Sequence, residues 1–241
     1  MTEASSDSTT VALVHGAFAD AGSWAPVAEL LLAAGVKVQA LSVPLRGLHS
    51  DSTYVASAIA QVPGPVLAVG HSYGGAVITN AARSATNVVG LVYVNAFAPD
   101  ENESLTDIEG TSRDSALGAA ILPAQFPTGA GSATELYVNP GAFYEVFARD
   151  LPESHAAVLG ASQRPIAASA FEEKSGAPAW KTLHSWAVVA TGDKAAGTDV
   201  LLSMAQRAGA ETLELDGSHL VMIAQPEAVA DVILKALASV G

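Results

Sequence analysis

Along the chain, short runs rich in Val, Ile and Leu alternate with stretches in which apolar residues recur every three to four positions. TVALVH (10–15), VKVQALSV (36–43), PVLAVGHS (65–72) and VVGLVYVNAF (88–97) read as strands, and 23–34, 53–61 and 74–85 as the helices between them. After residue 97 the rhythm stops. It resumes at SWAVVATGD (185–193), followed by a helix near 199–208, the strand ETLELDG (211–217) and a last helix over 226–240. Strands that are apolar almost throughout, rather than alternating, suit burial on both faces. About six of them with helical crossovers therefore predict an α/β fold, a doubly wound, mostly parallel sheet covered on both sides by helices.

Boundary residues agree with this pattern. Pro26 lies in the first turn after Ser23, a candidate N-cap, and Gly35 follows AELLLAA as a helix stop. Pro226 opens the last helix, where a missing N–H costs nothing, and Val229, Val232, Ile233, Ala236 and Leu237 form its buried stripe. The stretch 98–183 is rich in Pro, Gly, Ser and Ala with short helical patterns such as PGAFYEVFARDL, and is expected to fold as a small helical lid inserted between two strands of one core, 10–97 and 184–241. Its aromatics Phe126, Tyr137, Phe143, Tyr144 and Phe147 either face a site or glue the insertion to the core. Residues 1–9 are polar and expected to be a disordered tail.

Composition narrows the function. Half of the 241 residues are apolar, enough for one sizeable core and a single domain overall. A formal charge of −13 repels phosphate backbones and anionic lipid headgroups, so neither nucleic acid nor a membrane is an expected partner. No apolar run is long enough to span a bilayer and the tail lacks a signal-peptide pattern, which together with the absence of cysteine points to a cytoplasmic protein. Cysteine catalysis, disulfides and thiolate metal sites are excluded.

Within the third strand and its helix stands VLAVGHSYGGAV (66–77), in which Gly70-His71-Ser72-Tyr73-Gly74 matches G-x-S-x-G between a strand and a helix. So sharp a turn brings the residues two before and two after the serine together and leaves no room for a Cβ. Ser72 is then pushed to the carboxyl end of the sheet, where open α/β sheets bind ligands and a helix N-terminus favours developing negative charge. A plain turn with Ser as N-cap is the bland alternative. A serine nucleophile needs a base. Among six histidines, His219 follows the last strand on a loop at the same sheet end; His71 packs into the turn, His15 lies in HGAF, and His49, His155 and His184 lie in loops or the insertion. Asp193, ending AVVATGD, is the candidate to orient that base, with Asp100, Glu101 and Asp199 as rivals. The order Ser72, Asp193, His219 is that of the nucleophile-elbow architecture. Backbone N–H groups of Ala17, at the end of the first strand, and Tyr73, after the serine, are the candidate oxyanion donors, with Phe18 as substitute for the first. Phe18, Phe97, Phe143 and Leu220 are expected to line the substrate pocket.

Taken in order, HGAFADAGSW, GHSYGG, LVYVNAFAPDENES, VVATGD and DGSHLVMIAQPEAVADVIL resemble the α/β-hydrolase superfamily in its esterase and hydroxynitrile-lyase-like branch, over essentially the whole chain after the tail. That resemblance implies the strand order 4-3-5-6-7-8 in the family's count, with the insertion after the strand that follows the nucleophile. It also implies hydrolysis of small esters without metal or cofactor. Two positions depart from the pattern: Lys194-Ala195-Ala196-Gly197 replaces a charged residue and an apolar-Pro pair after the acid, and Leu220 stands where lyases of the branch carry lysine. The leading expectation is a serine hydrolase that cleaves a small carboxylic ester or lactone through an acyl-enzyme, as monomer or homodimer. A cofactor-free lyase or oxygenase using His219 as base, and a small-molecule receptor on a hydrolase scaffold, are the alternatives.

Overall fold

A computed structural model describes residues 8–241; the expected disordered tail, 1–9, lies for residues 1–7 outside the described residues. In chain order the first half contains β1 (Thr10–Val14), α1 (Ala25–Ala33), β2 (Lys37–Leu41), α2 (Leu48–Ala60), β3 (Val66–His71), α3 (Tyr73–Ala81) and β4 (Val88–Val94). An insertion follows with α4 (Leu105–Glu109), α5 (Leu117–Ala120), β5 (Ile121–Thr128), β6 (Gly131–Val138), α6 (Pro140–Phe147), α7 (Glu153–Ala161), β7 (Ile166–Ala167) and α8 (Ser169–Glu172). The chain closes with β8 (Ser185–Ala190), α9 (Thr198–Arg207), β9 (Glu211–Leu215), α10 (Val221–Ala224) and α11 (Pro226–Val240).

Six strands form one parallel sheet in the order β2-β1-β3-β4-β8-β9. This is the 4-3-5-6-7-8 arrangement, with β1 beside β3. The central strands β1, β3 and β8 are buried at every residue, as their apolar runs require, whereas β2 and β9 (KVQAL, ETLEL) are edge strands and expose polar side chains. Because all six run the same way, the loops that follow β1, β3, β8 and β9 gather at one end of the sheet, and these loops carry Ala17, Ser72, Asp193 and His219. Trp24, Leu31, Ile59, Leu67, Ile78 and Leu91 fill the space between sheet and helices. No helix among the described residues is long and apolar enough to cross a membrane.

Three local expectations change. α2 starts at Leu48 rather than 53, because polar-looking Asp51 is fully buried and its two carboxylate oxygens accept from the Arg46 N–H at 3.2 Å, securing the helix start. At α1, Ser23 is not the cap: Asp20 accepts from the Gly22 N–H and starts a short 3-10 turn that leads into the helix. The insertion contains the short helices expected and also an antiparallel sheet, β5-β6-β7, that the expectation of a helical insertion misses. Pro123 and Pro127 read as breakers, but β5 lies at the edge of that sheet, where a missing N–H is tolerated.

Candidate active site

The turn after β3 has the geometry its glycines predict. Ser72 sits at φ 52°, ψ −122°, a left-handed conformation rare for a residue with a side chain. A Cβ on Gly70 would lie 2.6 Å from the Gly74 carbonyl group, and one on Gly74 would lie 2.4 Å from the Val14 carbonyl oxygen of the neighbouring strand. Close backbone contact thus fixes the turn, and the Ser72 carbonyl accepts from the N–H groups of Gly75 and Phe97 (3.0 and 3.1 Å). Tyr73 is the first residue of α3, so its N–H has no intrahelical acceptor. The Tyr73 hydroxyl donates to buried Asp51 (2.8 Å), and burial raises the pKa of both groups. Its ring stacks on Phe171 of α8.

His219 and Asp193 meet at the same sheet end. The His219 Nδ1 lies 2.7 Å from Asp193 Oδ2, and both side chains are buried. A carboxylate only accepts, so Nδ1 carries the proton and Nε2 is left free to accept one. Asp193 Oδ1 takes the N–H groups of Ala195 and Ala196, each at 2.9 Å. The departure from the family pattern at 194–197 therefore builds a tight loop that satisfies the second oxygen of Asp193. The rivals are engaged elsewhere: Asp100 pairs with Lys181 (2.5 Å), Asp199 accepts from the Ser112 hydroxyl and Arg113 N–H (2.7 and 2.8 Å), and Glu101 is exposed.

Three side chains hold the His219 loop, and sequence reasoning missed the part each plays. Asn95, buried at the end of β4 with φ 43°, donates to the carbonyls of Ser218 and His219 (both 3.0 Å) and accepts from the Ala190 N–H (2.6 Å), tying the ends of β4 and β8 to the loop. His71 donates from Nε2 to the same His219 carbonyl (3.1 Å), its ring 4.7 Å from the His219 ring. Burial, then the neighbouring His219, holds the His71 pKa well below the ordinary histidine range, so it is a neutral donor. From the insertion, Asp150 accepts from the Ser218 N–H (2.8 Å) and hydroxyl, while the Leu220 N–H donates to Phe147 O (3.1 Å). In the sequence, Asn95 after a buried strand resembles any strand-end turn, so nothing local marks its role.

A cavity of about 280 Å³ adjoins this end of the sheet, lined by Ala17, Phe18, Phe143, Phe147, Leu220 and Ile223 among others. Phe147 meets His219 edge-on at 5.1 Å and Phe18 at 5.8 Å, and it stacks on Phe143 at 5.0 Å. Phe97, expected with these residues, does not line the cavity; its side chain is fully buried in the core. Of the remaining insertion aromatics, Phe126 lies under the Arg46 guanidinium, Tyr137 bonds Glu135 and Tyr144 bonds the Arg149 carbonyl. His155 also lines the cavity, whereas His49 and His184 bond Lys174 O and Glu211 at the surface. Among the described residues, no group of three or more His, Asp and Glu side chains is arranged to hold a metal ion.

Residues 11–232 match the sequence profile of the alpha/beta hydrolase family. No curated protein matches the chain. Among solved structures, polyneuridine aldehyde esterase is similar at 19% identity and TM-score 0.80, covering 95% of this chain and 99% of that one. A pyrethroid hydrolase is similar at 21% and 0.79, covering 96% and 98%. A methylesterase from Arabidopsis is similar at 17% and 0.78, covering 95% and 99%.

Proposed function

We propose, from the premise that the chain belongs to the alpha/beta hydrolase family, that it is a serine hydrolase cleaving a small carboxylic ester or lactone through an acyl-enzyme. In this reading Ser72 Oγ attacks the acyl carbon while His219 Nε2 takes its proton, and Asp193 holds the imidazole in the Nδ1–H form and stabilises the imidazolium. The backbone N–H groups of Ala17 and Tyr73 donate to the oxyanion, to which the first turn of α3 adds favourable potential. His219 returns the proton to the leaving alcohol, then activates water to release the acid. The cavity bounded by Phe18, Phe143, Phe147 and Leu220 would take an apolar part of the substrate, with the insertion as its lid.

The observation that carries the reading is the buried 2.7 Å pair of His219 and Asp193 at the sheet end where Ser72 occupies a left-handed turn. A carboxylate-oriented histidine at the sheet end that carries the serine is what acyl transfer requires. Names of the structural neighbours, an esterase, a pyrethroid hydrolase and a methylesterase, agree in reaction type. A fluorophosphonate should label the protein once, at Ser72, and Ser72→Ala and His219→Ala should both abolish burst release from an activated aryl ester across an ester and lactone panel. An adduct mapped elsewhere, or turnover that survives Ser72→Ala, overturns the reading in favour of a His219-based lyase or oxygenase.

A further inference from the structure

Glu109, at the end of α4, plays no part in the reaction as drawn, yet it stands one hydrogen-bonded chain away from it. Its Oε2 lies 2.7 Å from the Ser115 hydroxyl, which lies 2.7 Å from the carbonyl oxygen of Ala195. A hydroxyl has one proton, and a carbonyl can only accept. The Ser115 proton therefore goes to Ala195 O, and the contact with Glu109 needs a proton on the carboxyl itself. The other oxygen, Oε1, is shielded from solvent with no partner, which a neutral carboxyl tolerates far better than a carboxylate.

The chain continues through one peptide unit. The carbonyl of Ala195 and the N–H of Ala196 belong to the same amide, and that N–H donates to Asp193 Oδ1 at 2.9 Å, while Asp193 Oδ2 holds the His219 Nδ1–H. Donors and acceptors all run one way: carboxyl, hydroxyl, amide, carboxylate. In such a series each bond polarises the next. A second bond fixes the same loop, from the Ala116 N–H to Lys194 O at 2.7 Å.

We infer that Glu109, in its protonated form, is a positioning residue for Asp193, acting through Ser115 and the Ala195–Ala196 peptide. The inference rests on the hydrolase reading for the role given to Asp193. Burial, reinforced by Asp193 and Asp199, pushes the Glu109 pKa up to about 8. The charged groups acting on it are those two carboxylates, both against its ionisation. Of the groups nearby, Arg113 is turned to Asp199 (3.6 Å), Asp114 accepts from the Asp199 N–H (3.1 Å), Lys194 is exposed on the acid loop, and Asp107 on the same helix is bonded to Lys174. Loss of the Glu109 proton to solvent base reverses the first bond of the series, since Ser115 must then donate to the carboxylate and release Ala195 O. It also places an anion behind Asp193.

Activity against an activated aryl ester from pH 6 to 10 tests this, beside the resonance of the His219 Nδ1 proton in histidine-labelled protein. Wild type should lose kcat, with KM little changed, through an alkaline limb near pH 8. Glu109→Gln, whose amide can donate to Ser115 but does not titrate, should restore near-wild-type kcat at neutral pH and lack that limb. Glu109→Ala and Ser115→Ala should each lower kcat by up to about tenfold at neutral pH, the upper end of the scale of one lost hydrogen bond between neutral groups. The His219 resonance should move between pH 7 and 9 in wild type and stay fixed in Glu109→Gln. That second readout needs no turnover, so it judges the chain even if Ser72→Ala shows the esterase reading to be wrong. An alkaline limb and resonance shift unchanged in Glu109→Gln, or full kcat and an unmoved resonance in Ser115→Ala, overturn the inference.

Discussion

The turn at Ser72 and the loops of Asp193 and His219 are held in place by different means. Around Ser72 the constraint is steric, with backbone lying against backbone at Gly70 and Gly74. Around Asp193 and His219 the constraint is polar, and much of it arrives from elsewhere in the chain, from Asn95, His71, Ser115, Asp150 and the Phe147 carbonyl. A steric lock admits one residue type and resists every other. A hydrogen-bonded lock is satisfied by many residues but depends on its partners staying in place, so it is tunable and more easily lost.

Four experiments test this contrast. The largest effect should follow Asp193→Asn, which keeps the shape, removes the charge and can favour the wrong histidine tautomer: a loss on the order of a thousandfold in kcat, about 4 kcal/mol. Asp100→Asn and Glu101→Gln should change kcat by less than about threefold, as expected of a part-exposed surface ion pair and an exposed carboxylate; a crippled Asp100 variant beside a healthy Asp193→Asn would transfer the acid to the end of β4. Next comes Gly74→Ala, whose Cβ would land 2.4 Å from Val14 O; urea melts should show a loss of about 3 kcal/mol, with no fluorophosphonate adduct. A wild-type midpoint there would mean the turn is not sterically locked.

The loop after β1 lies between the two cases, since a side chain pins it from inside the core. His15 Nδ1 donates to Gly16 O and Nε2 accepts from the Val43 N–H, each at 2.9 Å, and burial pushes its pKa from 6.5 down to about 4. The unfolded histidine takes up a proton as pH falls through 6.5 while the folded one stays neutral until about 4, so this residue leaves stability intact above that window and removes it inside, by about 3 kcal/mol at the lower end. His71 acts in the same direction. Urea midpoints at pH 7 and 4.5 should therefore fall further in wild type than in His15→Gln; equal falls would remove His15 as the cause. The smallest effect belongs to Asp150→Asn, which weakens the grip on Ser218: about 1 kcal/mol, or about fivefold in kcat, with folding intact by circular dichroism.

What could be read from the sequence follows the same division. The parallel sheet was visible because strands buried on both faces must be apolar at nearly every position, and the elbow because its geometry excludes all but glycine at two places. Asp193 was readable as a strand-end acid, yet Asp100 and Glu101 fit the same description and Asp199 lies close by in sequence. Only the fold, which brings Asp193 to His219 and sends Asp100 to Lys181, separates them. Asn95 acts on residues 123 and 124 positions away, and a role that exists only across such a separation leaves no local pattern. The β5–β6 hairpin was hidden by Pro123 and Pro127, residues that end a central strand but not an edge one. Phe97 and Phe143 are both buried aromatics, and only the tertiary placement of each, invisible in one dimension, makes the first core and the second cavity wall.

The bond from the Leu220 N–H to the Phe147 carbonyl has a practical consequence for anyone redesigning this protein. Substrate range in a scaffold of this kind is most directly altered by exchanging the segment over the cavity, as if it were a replaceable part. Here that segment supplies hydrogen-bond partners to the residues on either side of His219 and, through Ser115, to the loop of Asp193. A graft chosen for its cavity lining alone would leave both loops without their anchors and lower turnover for every substrate alike. Transplants should therefore keep the backbone at Phe147, the carboxylate of Asp150 and the hydroxyl of Ser115 as fixed points, and vary Phe143, Leu159 and Ser162 between them.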